Sequence, residues 1–163
     1  MSTVEFLGAN DELTHARVEF RSQPHPIPAD ARVAYKLAQV ALVLYSFNRN
    51  SASIENLHLF TWSLQSRRSG QMLLSWWSGS RYASTVTQRS DPHLPVALNV
   101  GLLRGMVGIT GANHNRVTLQ PSGVLLAQRI ISDDDLMTTE KTYLRQFNKL
   151  SDAAVSRRLA RNS

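Results

Sequence analysis

The stretch DPHLPVALNVGLLRGMVGITGANHNRVTLQ, residues Asp91 to Gln120, decides how this chain folds. Its first two residues are a start signal for a helix. Aspartate accepts hydrogen bonds from the first turn, and Pro92 at the first helical position loses nothing by lacking an N–H. Apolar residues then recur at helical spacing from Leu94 to Leu102, and glycines follow at which a helix can end. The first half of the stretch therefore predicts a capped helix.

The second half of the stretch predicts a β-hairpin. Ile109 and Thr110 lie in its first strand, and Arg116 to Gln120 form the returning strand after a Gly-Ala-Asn-His-Asn turn. Glycine and asparagine suit the tip because they tolerate positive φ. Upstream, IENLHLFTWSL (Ile54 to Leu64) predicts a buried amphipathic helix. Helix, helix and hairpin in this order predict a mainly α-helical, winged-helix-like fold, which serves binding rather than chemistry.

We predict two regions, an N-terminal arm over residues 1–27 and a winged-helix-like domain with additional C-terminal helices over residues 28–163. In the arm, polar and apolar residues alternate over 15–21, and a Gly-Ala-Asn-Asp turn at 8–11 favours a β-hairpin. Such a hairpin either adds to a partner's sheet or packs as an edge strand on its own domain. Prolines at 24, 26 and 28 make a stiff connector to the domain.

Helices are also predicted on both sides of the hairpin. An apolar stripe from Val33 to Tyr45 predicts the central core helix, which ends at Asn48-Arg49-Asn50. Ser51 or Ser53 caps the helix that begins at Ile54. The remaining predicted helices are Gly70 to Trp77, Gly123 to Ile131, one that Ser132 caps and that contains Asp133 to Asp135, and a last one capped by Ser151 and Asp152.

The helix from Gly70 to Trp77 holds two adjacent tryptophans. Neighbouring residues cannot share a helical face, so at least one of Trp76 and Trp77 is predicted near the surface or against a partner. The alternative is that both indoles wedge between helices of the same domain. The predicted partner-binding residues are these two tryptophans together with Asn113 and His114 at the hairpin tip.

Length and composition limit the classes of protein to which this chain can belong. A length of 163 residues is enough for one domain whose core needs neither disulfides nor metals. The absence of cysteine excludes thiolate metal sites and disulfides, and it is compatible with a reducing compartment. The N-terminal sequence lacks the basic and apolar regions of a signal peptide, and no long apolar run occurs. We expect a soluble, cytoplasmic protein without a membrane partner.

Positive charge is concentrated in the middle of the chain. Residues 31–131 carry ten Lys and Arg residues against two acids, whereas residues 1–30 carry a net −3 and residues 132–163 a net +1. Such an excess is typical of polyanion binders; the alternatives are a solvated surface or an acidic protein partner. If DNA is bound, the predicted phosphate-contacting residues are Arg67, Arg68, Arg81, Arg89, Arg104 and Arg116.

Sequence motifs for catalysis are missing. The five histidines are scattered without a His-Glu-x-x-His pair, and no glycine-rich phosphate loop occurs. Only His58 lies in an apolar helix, and we interpret it as a hydrogen-bonded core histidine rather than a base or ligand. The acidic run Asp133 to Asp135 lacks the alternating spacing of a calcium loop. We predict no catalytic residue, no metal and no cofactor, and hence a protein that is not an enzyme.

Four blocks of the sequence resemble a known family. They are AYKLA at 34–38, LHLFTWSL at 57–64, DPHL at 91–94, and Leu119 through Gly123. In their order and in their residues, these blocks resemble the middle component of ABC three-component systems. In Lamassu-type bacterial anti-phage defence this component accompanies an SMC-like ATPase and an effector, often a nuclease. The similarity covers residues 26–160. The chain departs from the family pattern at Gln120 to Ser122, where the family has threonine and charged residues.

The resemblance implies a small non-catalytic accessory subunit that contacts the SMC-like ABC ATPase and bridges it to the effector. It also implies a part in sensing DNA, with double-stranded DNA as a further partner through phosphate contacts. The alternative is a stand-alone winged-helix DNA-binding transcription regulator. Its recognition helix, from Leu94 to Arg104, would offer chiefly Asn99 and Arg104 to the bases.

Overall fold

The computed structural model describes residues 28–79, 91–148 and 150–161, without the side chains of residues 29, 30 and 161. The predicted arm, residues 1–27, lies outside the described residues, as do Arg81 and Arg89. Within the described ranges the chain is mainly helical, with one small antiparallel sheet. The elements are α1 (Ala29–Ser46), β1 (Ser51–Ser53), α2 (Ile54–Ser63), α3 (Arg67–Trp77), α4 (Leu94–Leu103), β2 (Val107–Thr110), β3 (Arg116–Leu119), α5 (Pro121–Ser132), α6 (Thr138–Leu144) and α7 (Asp152–Arg161).

Helix α1 is the central core helix that the apolar stripe predicts. All residues from Val40 to Leu44 are buried, because α2, α4 and α5 pack around this part of the helix. The helix ends at Ser46, and a short 3-10 turn over Asn48–Asn50 follows. Arg49 and Asn50 adopt positive φ there, which turns the chain into β1. The predicted helix end is confirmed.

Helices α2 and α3 follow each other closely, and serines cap both. The hydroxyl of Ser53 accepts the N–H of Asn56 at 3.2 Å, as one of the two predicted caps requires. At the start of α3, the hydroxyl of Ser66 accepts the N–H of Ser69, and the hydroxyl of Ser69 accepts the N–H of Ser66. This reciprocal capping box fixes the start of α3 at Arg67, one turn earlier than predicted. Only residues 64–66 separate the two helices.

Helix α4 begins later than predicted. The carboxylate of Asp91 accepts the N–H of His93 at 3.0 Å, and its carbonyl accepts the N–H of Leu94 at 3.3 Å. These two bonds form a turn that contains Pro92, so the helix starts only at Leu94. The prediction that Asp91 caps the helix with Pro92 as its first residue is wrong, because the short side chain satisfies a local turn instead.

The acidic run also forms a turn and not a helix. Ser132 is the last residue of α5 and caps no helix. The carboxylate of Asp133 accepts the N–H groups of Asp135 and Leu136, and α6 begins only at Thr138. The prediction of a helix capped by Ser132 is therefore wrong in its start, because the local hydrogen bonds of Asp133 compete with helix formation.

The three strands form one antiparallel sheet in the order β1-β3-β2. Strands β2 and β3 are the predicted hairpin, in which Val107 lies opposite Leu119 and Thr110 opposite Arg116. Gly111 and His114 adopt positive φ in the connecting turn. Strand β1, which no pattern predicted, pairs with the other side of β3 immediately before α2 begins. The sheet thus joins the front of the helical pair α2–α3 to the hairpin.

The C-terminal helix closes the domain. The hydroxyl of Ser151 accepts the N–H of Ala154 at 3.1 Å, which confirms the predicted serine cap of α7. The carbonyl of Leu150 accepts the N–H of Asn48 at 2.8 Å, so this end of the chain is tied to the turn after α1. Among the described residues, no helix combines the length and the apolar character needed to cross a membrane.

Candidate interaction surfaces

Helix α3 exposes a polar and basic face. Its buried residues share the opposite side of the helix: Ser69, Gly70, Leu73, Trp76 and Trp77. Its exposed residues lie within roughly 100° of the helix circumference, at 100° per residue. They are Arg67, Arg68, Gln71 and Ser75, with Ser78 at the C-terminal cap, and we call them the α3 face. Neither arginine side chain makes an ion pair or a hydrogen bond with any described residue. Two full positive charges are therefore presented to solvent.

A cleft of about 610 Å³ opens beside this face, between α3 and α6. Arg67 and Gln71 lie in one wall, and Tyr143 lies at the cleft with its hydroxyl donating to the carbonyl of Gly70 at 3.2 Å. A Cβ at Gly70 would stand 3.1 Å from the tyrosine ring, so glycine permits this approach. The α6 side presents hydroxyl and amide groups: Thr138, Thr139, Thr142 and Gln146. Most residues that line the cleft are neutral and polar, although apolar atoms form the larger part of its surface.

The carboxylate in the cleft wall, Glu140, is already engaged. It is buried and accepts a hydrogen bond from the hydroxyl of Tyr35. Burial, together with this bond and the negative charge of Glu140, raises the pKa of Tyr35 to about 12. The phenol therefore stays protonated at neutral pH and keeps donating to Glu140. Among the described residues that line the cleft, Glu140 is the only acid.

The outward face of α4 is apolar, unlike that of α3. Leu103 is 88 % exposed and Val96 is 52 % exposed. The exposed Asn99 lies between them on the same side of the helix. Beside Val96 a groove of about 420 Å³ runs between α1 and α4, which we call the α1–α4 groove. Its lining combines apolar side chains with basic ones: Ala31, Val33, Tyr35 and Val96, with Arg32, Lys36 and His93.

A buried ion pair fixes the start of α4 to α1. Lys36 Nζ lies 2.7 Å from Asp91 Oδ2, and the two side chains are 10 % and 0 % exposed. Gln39 accepts a second hydrogen bond from Lys36, and His58 Nδ1 accepts the N–H of Asp91. Burial raises the pKa of Asp91, but the hydrogen bonds from Lys36 and His93 and the charge of Lys36 outweigh it and lower the pKa below its ordinary value. His58 is hydrogen-bonded, as predicted, and the cluster holds the fold together.

Arg116 belongs to a second network, which joins the sheet to α7. Its guanidinium pairs with the carboxylate of Asp152 and also donates to the hydroxyl of Ser51. Asp152 accepts in addition the N–H of Ser53 at 3.0 Å and the amide of Asn56 at 2.7 Å. Burial raises the pKa of Asp152, but these hydrogen bonds and the charge of Arg116 outweigh burial, so the pKa lies below its ordinary value. The predicted phosphate contact Arg116 thus has a partner inside the domain.

Both predicted partner-binding tryptophans are buried in the domain's own core. Trp76 is 1 % exposed and Trp77 is 9 % exposed. The ring of Trp77 packs edge-on against Phe147 with 5.4 Å between centroids, and the guanidinium of Arg158 lies 4.3 Å over it. The prediction that at least one indole faces the surface or a partner is wrong. The alternative, in which both indoles wedge between helices of the same domain, is confirmed. Phe147, which follows α6, and Arg158 on α7 cover the ring of Trp77, which would be exposed on α3 alone.

The other predicted site residues are exposed but scattered. Arg104 lies at the C-terminal end of α4, and Asn113 and His114 lie at the tip of the β2–β3 hairpin. Of the four predicted DNA contacts that lie in the described ranges, the structure brings only Arg67 and Arg68 together on one exposed face. Sequence reasoning missed the cleft beside them, because its α6 wall comes from residues about 70 positions further along the chain.

The described part of the chain contains no group of three or more His, Cys, Asp or Glu side chains placed to hold a metal ion. In comparisons with known proteins, no family model, no curated protein and no solved structure matches this chain. The two helix faces are the features that carry functional inference.

Proposed function

We propose that this chain is a non-catalytic accessory subunit that binds an SMC-like ATPase and links it to an effector in an anti-phage defence complex. The partners follow from the resemblance of residues 26–160 to the middle component of ABC three-component systems. The observation that carries an adaptor role is the apolar outward face of α4 beside the α1–α4 groove. We propose the SMC-like ATPase as the occupant of this surface.

The winged-helix assignment is part of this proposal. With α4 left aside, a helix, a strand and two helices precede the β2–β3 hairpin, and β1 joins the hairpin in the order β1-β3-β2. This order of elements supports a winged helix. Helix α4 is an additional element, since it stands between the helical pair α2–α3 and β2. The proposed ATPase-binding surface is thus an addition to the winged-helix elements.

The apolar surface has a physical cost that a partner would remove. A leucine left 88 % exposed on a helix end forgoes most of the roughly 1.5–3 kcal/mol that burying such a side chain contributes. Interfaces between proteins place apolar side chains at their centre and polar ones at their rim. Val96 and Leu103 fit the centre of such an interface, with the polar Asn99 between them and Arg104 at its edge. A helix that reads DNA would instead present donors and positive charge.

Co-purification tests this proposal. The tagged full-length chain is co-expressed with any coiled-coil ATPase found to be encoded next to its gene, as wild type and with Val96→Asp and Leu103→Asp together. We expect the wild type to bring down the ATPase and the double variant to lose it, because two carboxylates would be buried without partners. Leu125→Asp is the matched control, since Leu125 on α5 is 56 % exposed and lies on another helix.

Circular dichroism on each purified variant shows whether it keeps its helices. An ATPase that stays with the folded double variant would contradict the proposed surface. A wild-type chain that never associates with the ATPase would contradict the proposed partner. For a stand-alone regulator acting through α4, the exposed residues Asn99 and Arg104 are the candidate readers, and Val96 and Leu103 on the same helix weigh against it.

A further inference from the structure

We propose that α3, and not α4, is the nucleic-acid-reading helix of this protein, and that the α3 face enters the major groove of double-stranded DNA. The inference does not rest on the proposed ATPase contact, because it uses a different helix with a different chemistry. It starts from the connection between α2 and α3. Only Leu64, Gln65 and Ser66 separate them, the short link of a helix-turn-helix pair, whose second helix reads DNA.

The fold holds α3 rigidly with one side outward. The capping box of Ser66 and Ser69 fixes its first turn, and the buried Leu73, Trp76 and Trp77 fix its inner side. The α3 face is consequently presented on a supported helix and not on a loop. From Arg67 to Ser78 the face is roughly 16 Å long at 1.5 Å per residue. A B-DNA major groove, about 12 Å wide, admits a helix of this kind.

The chemistry of the α3 face matches that of base edges and phosphates. Arginine pairs with guanine through two hydrogen bonds, glutamine pairs with adenine in the same way, and serine can donate to either. Arg67, Arg68, Gln71 and Ser75 supply these groups on adjacent turns. Helix α3 and the link before it contain no Asp or Glu. Nothing on this helix would therefore repel a polyanion.

The α6 wall of the cleft extends this surface. Thr138, Thr139, Thr142 and Gln146 offer hydroxyl and amide donors across from Arg67, and such neutral donors commonly hold DNA phosphates. Glu140 in the same wall keeps its negative charge, but it is buried and accepts a hydrogen bond from Tyr35, whereas Arg67 and the neutral donors are exposed. The exposed carboxylates Asp133 to Asp135 precede α6 and mark where the favourable surface ends in that direction. A DNA strand beside α3 would thus meet donors on both sides of the cleft.

Helical reading of a groove also predicts which nucleic acid binds. The major groove of duplex RNA is deep and narrow and does not admit side chains on a helix, so duplex RNA should bind more weakly. An unstructured acidic protein segment would need only the positive charge. Binding to duplex DNA would depend on the order of the charged and amide side chains along the helix as well as on their total charge.

Fluorescence anisotropy with the full chain alone tests the inference. The probe is a labelled 30-base-pair DNA of mixed sequence, titrated over a range of salt concentrations. The double variant Arg67→Ala and Arg68→Ala should bind at least about tenfold more weakly, and the slope of log affinity against log salt should fall in magnitude by about 2. The charge-matched control is Arg129→Ala with Arg157→Ala, two exposed arginines on α5 and α7, which should stay within about twofold of wild type.

Two further measurements distinguish recognition of the bases from attraction by positive charge alone. Gln71→Ala should change the base preferences selected from a random DNA pool while leaving the salt slope unaltered, because glutamine carries no charge. A duplex RNA of the probe's sequence should bind at least about tenfold more weakly than the DNA. Equal losses in the α3 and control variants, equal affinity for duplex RNA, or no binding of duplex DNA by the wild type would each overturn the inference. None of these results depends on whether the ATPase binds α4.

Discussion

Replacing Asp91 by alanine should destabilise the protein more than any exposed carboxylate replacement. The change removes the counter-charge of Lys36, whose side chain is only 10 % exposed. It leaves an ammonium group in the interior with Gln39 as its remaining acceptor at 2.7 Å. Breaking a buried ion pair in this way typically costs about 3–5 kcal/mol, because the uncompensated charge is the main penalty. Since Gln39 still accepts one hydrogen bond, we expect about 3 kcal/mol.

That loss is large against the total. A domain of this size is stable by about 5–15 kcal/mol, so Asp91→Ala would remove a fifth or more of the free energy of unfolding. The sign of the pH dependence is also fixed. The pKa of Asp91 is lower in the folded protein than in the unfolded chain, so its contribution is complete at neutral pH and is lost as the pH falls through the folded-state pKa. The variant should therefore lose less stability than the wild type on acidification.

Urea unfolding followed by tryptophan fluorescence measures the effect, since Trp76 and Trp77 are buried. The exposed Asp134→Ala is the control and should stay within about 0.5 kcal/mol of the wild type. In the double variant with Lys36→Met no charge is left unpaired, so the two losses should not add, and a coupling of at least about 1 kcal/mol is expected. A loss below about 1 kcal/mol for Asp91→Ala, or fully additive losses, would refute the reasoning.

Two other substitutions probe contacts that position the surfaces. Asp152→Asn should cost about 1–3 kcal/mol at neutral pH, because it weakens an acceptor of several hydrogen bonds, and the difference should shrink as the pH falls through the lowered pKa of the carboxyl. Urea unfolding at neutral and at acid pH checks this, and an undiminished difference in acid would contradict it. Gly123→Ala places a Cβ 2.2 Å from the carbonyl oxygen of Met106, an atom of the backbone that cannot turn aside. Thermal and urea unfolding should show a loss of at least about 2 kcal/mol, against almost none for the exposed Gln128→Ala on the same helix, and equal stabilities would disprove the clash.

Much of the helical framework could be predicted from the sequence, because it depends on local patterns. The apolar stripe of α1 and the serine caps at Ser53 and Ser151 need only residues within one helix. The hairpin likewise needs only two short strands and a turn with glycine. The predicted start of α4 failed although it used the same kind of signal. A single aspartate can cap a helix or close a turn, and the ion pair to Lys36, more than 50 residues away, is part of what holds Asp91 in the turn.

The candidate site was harder to predict, because the exposure of a side chain depends on residues that are distant in the sequence. Trp77 is covered by Phe147 and Arg158, which lie 70 and 81 positions further along the chain. Arg116 is engaged by Asp152 on the last helix. Nothing in the local sequence around Trp77 or Arg116 distinguishes them from exposed residues. Arg67 and Arg68, which were predicted only as DNA contacts, lie at the start of α3 and are exposed, and whether they bind DNA stays a prediction.

The two proposed binding faces lie on different helices. Helix α3 packs on α2, whereas α4 packs on α1 and β2, so each face is supported by different neighbours. An apolar face and a charged face on one helix would interfere with each other. The core of a protein interface excludes water, whereas DNA binding releases counterions into the surrounding solvent. An apolar face on α4, which lies between α3 and β2, avoids this conflict. On the proposals made for α3 and α4, DNA and the ATPase can then bind the same subunit at the same time.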